Sequence, residues 1–246
     1  MWNVLVTGSS RGLGLELVKQ IATKSEFNAG LVLATARSCS SDLQEVILQA
    51  KGSVVFVALD VIDEEIIAHS AKAVEIALRG RSLDILINCA GVHGETHGKL
   101  ALMSGLEYQF SANVLGVHNV TRHYISLMKT SSTKKVISIS SIFGSLTNAR
   151  EVAYAPCPAY KISKAALNAL MVQYALSYEE EGYIFLVVSP GWLKSDMGGQ
   201  DADLTVSQGA EAVLNVVMSA SDKDNGRFKN IFVPGWKKYD GGDLKW

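Results

Sequence analysis

Short apolar segments alternate with helix-periodic segments along almost the whole chain, and this alternation constrains the fold most strongly. Few polar residues interrupt the apolar segments, as expected for strands that are covered by helices on both faces. The alternation is typical of βαβ units and a parallel sheet, so we predict a doubly wound α/β fold with about seven strands. The predicted strands are Trp2–Thr7, Leu31–Thr35, Val54–Ala58, Leu83–Ile87, Lys135–Ile139, Ile184–Val188 and Asn230–Val233.

Helical periodicity fills the segments between these strands. Apolar residues recur four apart from Leu13 to Ile21, share one face from Ile67 to Leu78, and form a long stripe from Leu106 to Leu127. A further helix is predicted to start near Ala159 and to end before Gly182. No internal repeat and no linker rich in Pro, Gly or Ser interrupts the pattern, so we expect residues 1–246 to form a single domain.

Composition excludes several classes of protein. A net charge of −1 argues against a nucleic-acid partner, and 48% hydrophobic residues argue against disorder. The three cysteines are an odd number and widely spaced, which argues against a disulfide framework. We see no targeting segment and no apolar run long enough for a membrane, so we expect a cytoplasmic protein with no membrane partner.

A glycine-rich turn directly follows the first predicted strand. Residues Thr7–Gly14 read Thr-Gly-Ser-Ser-Arg-Gly-Leu-Gly and open the first helix. Glycines there let the backbone approach a pyrophosphate, which the positive end of the helix stabilises. A tight strand-to-helix turn without a ligand is the alternative reading of this motif alone.

The spacing Gly-x-x-x-Gly-x-Gly resembles that of the short-chain dehydrogenase/reductase family, and other motifs continue the resemblance over essentially the whole chain. These motifs are Asp60-Val61, Asn88-Cys89-Ala90-Gly91, Asn113, Ser140-Ser141, the Tyr-x-x-x-Lys of Tyr160 and Lys164, and Ser189-Pro190-Gly191. The segments Gly191–Gly199 and Val233–Trp236 resemble the sniffer and C-factor-like carbonyl reductase branch. The resemblance implies a Rossmann fold and an oxidoreductase that acts on small carbonyl compounds.

Tyr160 and Lys164 lie four residues apart, so a helix places them on one face. An ammonium near a phenol favours the phenolate, so we expect Lys164 to lower the pKa of Tyr160. Tyr160 would then exchange a proton with the substrate oxygen. In the family the lysine also binds the nicotinamide ribose, which the resemblance implies for Lys164.

The resemblance assigns two further catalytic residues. Ser141 fits the family's Ser-x-x-Gly frame better than Ser140 does, so Ser141 is expected to polarise the substrate oxygen. Asn113 is expected to hold a water that links Lys164 to solvent. The interval from Ser141 to Tyr160 is longer than is usual in the family, and the additional residues are expected to form a loop, residues 148–158, beside the substrate pocket.

The end of the second strand indicates which cofactor is used. An acid there would bind the free ribose hydroxyl of NAD, whereas an arginine accommodates the 2′-phosphate of NADP. Arg37 lies in this segment without an acid, and Arg11 adds a second cation in the glycine-rich turn, so we predict NADP(H). The predicted cofactor-binding residues are Gly8, Ser10, Arg11, Gly12, Leu13, Gly14, Arg37, Asp60, Val61, Asn88, Ala90, Gly91, Tyr160, Lys164, Pro190, Gly191, Leu193 and Ser195.

Other segments are interpreted more simply. His93–His97 lacks the His-Glu-x-x-His spacing of a zinc site and has no third ligand cluster, so we predict no metal and a loop over the pocket. The segment from Trp192 to Leu204 is expected to be a mobile flap, as in the family.

The resulting hypothesis is NADPH-dependent reduction of a ketone or aldehyde, in a homodimer or homotetramer. An alcohol dehydrogenase that works in the oxidative direction, and an NADP(H)-binding regulator with little turnover, are the alternatives. A methyltransferase would need neither Tyr160 nor Lys164, and epimerases have a different glycine spacing.

Overall fold

One parallel sheet of seven strands forms the centre of the molecule, which this computed structural model describes over residues 1–246. The order of strands across the sheet is β3-β2-β1-β4-β5-β6-β9, and β7 and β8 form a separate two-stranded parallel sheet. The predicted doubly wound Rossmann-type α/β fold is confirmed. The strands are β1 (Trp2–Thr7), β2 (Ala29–Ala36), β3 (Val54–Ala58), β4 (Ile85–Asn88), β5 (Lys135–Ile139), β6 (Ile184–Ser189), β7 (Leu193–Lys194), β8 (Leu204–Thr205) and β9 (Phe228–Asn230).

Seven α-helices connect and cover these strands. They are α1 (Gly12–Thr23), α2 (Ser41–Gln49), α3 (Glu64–Leu78), α4 (Leu106–Phe110), α5 (Gly116–Tyr124), α6 (Pro158–Ser177) and α7 (Val206–Ser219). None of the helices is long and apolar enough to cross a membrane.

Alternate residues of each strand enter two different cores, because successive side chains of a strand point to opposite faces. Val4 and Val6 of β1 belong to a cluster that includes residues of α1, α2 and α7. Leu5 belongs to the other cluster, with residues of α3, α5 and α6. Both faces of the sheet are therefore covered, which explains why the strands are almost purely apolar.

The centre of the sheet is the point at which its strand order reverses. β1 pairs with β2 on one side and β4 on the other, so the loops that leave β1 and β4 meet at the carboxyl edge. There the Thr7 hydroxyl accepts hydrogen bonds from the N–H groups of Cys89 and Ala90, both at 3.0 Å. A Cβ on Gly8, whose φ is +72°, would lie 2.8 Å from the Cα of Ala90.

The seventh strand and two helix boundaries differ from the sequence predictions. The seventh strand was predicted as Asn230–Val233 but spans Phe228–Asn230, because Val233 instead donates its N–H to the carbonyl oxygen of Tyr239 in a hairpin-like turn. α6 begins at Pro158 and ends at Ser177, and a separate turn of 3-10 helix covers Glu179–Glu181. The other strands are within two residues of their predicted bounds.

The long helix predicted over residues 106–127 is helical throughout but not uniform. A π-helical turn, Ser111–Leu115, separates α4 from α5, and a 3-10 turn ends the helix at Met128. Asn113 lies within the π-helical turn. Such turns add a residue to an α-helix and are frequent at functional sites.

Gly8→Ala should destabilise the protein by about 2–4 kcal/mol, because the new methyl adds overlap with Ala90 to the strain of a positive φ. Gly12→Ala is the matched control, since Gly12 also has a positive φ but open space around its Cβ position. The control should cost about 1 kcal/mol. Urea unfolding of both variants measures the difference, and equal losses would contradict the close approach of the β1 and β4 loops.

Candidate active site

A cavity of about 1060 Å³ opens at the carboxyl edge of the sheet, where ligands bind in doubly wound folds. It brings together most of the predicted site residues: Gly8, Ser10, Arg11, Gly12, Leu13, Gly14, Arg37, Asp60, Val61, Ala90, Gly91, Ser141, Tyr160, Lys164, Pro190, Gly191, Leu193 and Ser195. Asn88 and Asn113 do not line it. The Asn88 amide donates to the Thr121 hydroxyl at 3.2 Å, which links β4 to α5, and its contact with a cofactor stays a prediction.

The glycine-rich turn wraps tightly around the start of α1. A Cβ on Gly14 would lie 2.3 Å from the carbonyl oxygen of Gly8, so only glycine fits there. Ser9 fastens the turn to the sheet through its N–H to the Thr35 carbonyl and its hydroxyl to the Val6 carbonyl. No side chain caps α1, which leaves the N–H groups of its first turn for an anion.

Two arginines lie at the end of the cavity formed by β2 and the glycine-rich turn. Arg37 directly follows β2, is exposed and has no salt bridge. The Arg11 guanidinium pairs with Asp196 at 2.9 Å, which ties the glycine-rich turn to the predicted flap. Asp42 also lines the cavity, but from the first turn of α2 rather than from the strand end, where an acid would bind the ribose.

Lys164 is almost completely buried and donates from Nζ to the carbonyl oxygen of Ile139 at 2.7 Å. Burial lowers the pKa of Lys164 to about 8, and the neighbouring Cys89 thiol opposes the change. Its ammonium is 5.5 Å from the centre of the Tyr160 ring. The ammonium group is therefore held by the end of β5 rather than by the tyrosine.

Burial raises the pKa of Tyr160, and a hydrogen bond from Ser141 lowers it by a smaller amount. We expected Lys164 to lower this pKa, but in the protein by itself desolvation of the phenolate dominates and the net change is upward. The Tyr160 hydroxyl is therefore protonated at neutral pH and can act as a proton donor.

The two neighbouring serines have different surroundings. The Ser140 hydroxyl is buried and donates to the side-chain oxygen of Asn168 at 2.6 Å. Ser141 caps a short 3-10 turn by accepting from the N–H of Phe143 at 3.2 Å. Both serines line the cavity, but only Ser141 contributes to the pKa of Tyr160. The structure is thus consistent with the choice of Ser141.

Asn113 is fully buried and acts on the backbone next to the cavity. Its Oδ1 accepts from the N–H of Val92 at 2.8 Å, and its Nδ2 donates to the Val92 carbonyl and to the Ser163 hydroxyl, both at 2.9 Å. The sequence gives no signal for Ser163 as a partner. The predicted water between Asn113 and Lys164 stays a prediction.

The additional residues before Tyr160 are held in place by Lys161. Its Nζ donates to the carbonyl oxygens of Val152 and Ala155 at 2.6 and 2.8 Å. The N–H of Thr96 donates to the carbonyl oxygen of Pro156 at 2.7 Å. Tyr154 and Pro156 line the cavity, so this loop borders it as predicted. Pro158 belongs to α6 rather than to the loop.

The segment predicted as a flap is folded around the β7–β8 pair. Its base is held by Tyr239, whose Oη accepts from the N–H of Trp192 at 3.1 Å and donates to Asp203 at 2.5 Å. The sequence analysis missed Tyr239 and Leu244 as cavity residues, because no motif marks them and a distant loop brings them there.

The fold and this cavity are those of a Rossmann-type oxidoreductase. The family model described as short chain dehydrogenase matches residues 2–204, and the chain belongs to this family. The resemblance seen in the sequence is confirmed.

Individual relatives agree with the family assignment. C-signal of Myxococcus xanthus is 30% identical over 170 residues, which cover 67% of this chain and 93% of that protein. The NADPH-bound carbonyl reductase from chicken fatty liver superposes with a TM-score of 0.88 at 29% identity, covering 99% of this chain and 98% of that one. Carbonyl reductase Sniffer of D. melanogaster has the same fold, with a TM-score of 0.88 at 23% identity and full coverage of both chains.

The burial of Lys164 predicts a dependence of stability on pH. Folding lowers the pKa of Lys164 to about 8, so above this pH the unfolded chain binds more protons than the folded protein does. The free energy of unfolding therefore increases as the pH rises and Lys164 loses its charge in the folded protein. Relative to Lys164→Met, the wild type should gain about 2 kcal/mol between about pH 7 and about pH 9.5. Unfolding free energies of both proteins at the two pH values measure this, and a constant difference would show that Lys164 is not desolvated.

Proposed function

We propose that this chain reduces a small-molecule ketone or aldehyde to an alcohol with NADPH, and that residues 1–246 act as one domain. The observation that carries the proposal is the convergence of Ser141, Tyr160 and Lys164 in the cavity that the glycine-rich turn also borders. The carbonyl reductase relatives, one of them NADPH-bound, support it.

The cavity has the features that a dinucleotide needs. The uncapped start of α1 and the glycine backbone suit a pyrophosphate, and Arg37 with Arg11 suits a 2′-phosphate. We assign Asp60 and Val61 to the adenine. The nicotinamide half is assigned to Ala90, Gly91, Pro190, Gly191, Leu193 and Ser195, with Lys164 on its ribose.

The reaction adds a hydride to the carbonyl carbon and a proton to the carbonyl oxygen. Bound NADPH supplies the hydride. Ser141 donates a hydrogen bond to the carbonyl oxygen and polarises the carbonyl. Tyr160, whose raised pKa keeps it protonated, gives its proton to the same oxygen as negative charge develops there.

Lys164 and Asn113 support this proton transfer. The phenolate left on Tyr160 is stabilised by the nearby Lys164 ammonium. Asn113 hydrogen-bonds the N–H and the carbonyl oxygen of Val92 and donates to the hydroxyl of Ser163. In our proposal it also holds the water through which a proton returns to Tyr160.

Two alternatives would use the same cavity. The oxidative direction would turn over an alcohol with NADP⁺, and a regulator would bind the nucleotide without turnover. We favour reduction because the NADPH-bound relative is a carbonyl reductase. The cytoplasmic location and the homodimer or homotetramer remain predictions.

Tyr160→Phe should lower kcat by at least about 100-fold, because it removes the proton donor and leaves the ring in place. NADPH consumption with a panel of ketones and aldehydes measures this, with NADP⁺ and the matching alcohols for the reverse reaction. Tyr154→Phe is the control, since that tyrosine lines the cavity but is 76% exposed and has no assigned chemistry. Nucleotide binding without turnover of any wild-type substrate would favour the regulator.

Arg37→Ala should weaken NADPH binding by about tenfold and leave NADH binding unchanged, because only NADPH carries the phosphate that this cation contacts. Fluorescence titration with both nucleotides measures the two affinities. Lys72→Ala removes an exposed cation on α3 outside the cavity and should change neither. A parallel loss of both nucleotides in Arg37→Ala would contradict the assignment of this residue.

A further inference from the structure

His93 lies on a segment whose backbone is fastened on both sides. The preceding residue, Val92, is clamped at its N–H and its carbonyl by Asn113. Three residues later, the N–H of Thr96 is bonded to the carbonyl of Pro156 in the loop before α6. This segment therefore holds the imidazole in a defined place rather than on a free loop.

That place is directly beside the reacting group of the proposed mechanism. The His93 ring lies edge-to-face with Tyr160, with 5.0 Å between the ring centres and 67° between the planes. His93 is half-buried and lines the cavity together with Tyr160 and Ser141. A substrate bound at Tyr160 therefore shares this cavity with the imidazole.

The imidazole has hydrogen-bonding capacity that the protein does not use. Its nitrogens have no hydrogen-bond or salt-bridge partner, whereas the neighbouring Glu95 carboxylate pairs with His97 at 3.2 Å. Burial lowers the pKa of His93, and Glu95 opposes this change. The ring is neutral at neutral pH, so it has one N–H donor and one nitrogen acceptor for a ligand.

We propose that His93 is a substrate-recognition residue that hydrogen-bonds an oxygen on the carbon next to the reacting carbonyl carbon. The preferred substrates are accordingly hydroxyketones or dicarbonyl compounds rather than simple ketones. This inference rests on the proposed carbonyl reduction. The edge-to-face contact of the two rings, both of which border the cavity, lets a substrate held at Tyr160 present a second oxygen to the imidazole.

A pair of substrates that differ by one hydroxyl tests the inference. Benzoin carries a hydroxyl next to its carbonyl and deoxybenzoin lacks it, while acetoin and butanone form a smaller pair with the same difference. Wild-type enzyme with NADPH should show a kcat/KM about tenfold higher for the hydroxylated member of a pair. His93→Phe keeps a ring against Tyr160 but removes the hydrogen bond, so it should lose this preference.

Two further variants separate recognition from packing. His93→Asn has a donor and an acceptor but no ring, so it should retain part of the preference that His93→Phe loses. His93→Leu should behave like His93→Phe, and it serves as the apolar variant if His93→Phe does not fold. Both apolar variants should reduce the unhydroxylated ketone within about twofold of wild type, because that ketone has no second oxygen for His93 to bind. The affinity for NADPH should stay unchanged in all three.

The possible outcomes distinguish a failure of the His93 role from a failure of the proposed reduction. Equal kcat/KM values of wild type for both members of each pair, or a preference that survives in the apolar variants, would overturn the role of His93 and leave the proposed reduction intact. A loss of activity on all ketones in the apolar variants would reveal a packing role for the ring and would also overturn recognition. Wild-type enzyme that consumes no NADPH with any carbonyl of the larger panel would overturn the proposed function, and the inference would fall with it.

Discussion

The hydrogen bonds from two backbone N–H groups to the hydroxyl of Thr7 hold the carboxyl ends of β1 and β4 together. The sheet reverses its strand order between these two strands, so the connecting loops diverge to opposite faces and leave a cleft. The glycine-rich turn follows one strand and the segment that leads to His93 follows the other. The remaining parts of the cavity are placed relative to this junction, because β5 and β6 extend the same sheet beyond β4.

Desolvation shapes the chemistry of the cavity more than pairing of charges does. Burial shifts the pKa of Lys164 down and that of Tyr160 up, so that both changes favour the uncharged form. The ammonium has the Ile139 carbonyl as its partner but no carboxylate.

The parts of the fold that follow from local pattern were predictable. The first six strands of the sheet and the glycine-rich turn were recognised because apolar runs and glycine spacing are visible in short windows of sequence. The seventh strand was placed too late, since its pairing with β6 ends at Asn230 and Val233 bonds instead to Tyr239, a contact that no local pattern records. The π-helical turn around Asn113 was missed for a related reason, because the apolar stripe continues through it.

The candidate site was likewise predictable where it depends on local sequence pattern and not where it depends on long-range packing. Tyr160 and Lys164 were visible as a spaced pair, whereas the direction of their pKa changes depends on burial that only the packed structure sets. Asn88 matched a family motif, yet its amide serves the contact with Thr121. The segment with His93 was predicted to lie over the pocket, whereas Tyr239 reaches the cavity through a distant loop, which periodicity and motif spacing do not encode.

The bond between Tyr239 and the backbone of Trp192 has a consequence for how the protein is made. During synthesis, the strands β1 to β6 and the helix that carries Tyr160 leave the ribosome well before residue 239. A nascent chain that stops short of this residue holds the glycine-rich turn and Lys164 but lacks the side chain that supports Trp192 and Asp203. In such a chain the N–H of Trp192 and the carboxylate of Asp203 would lack these two hydrogen bonds until the last residues are made.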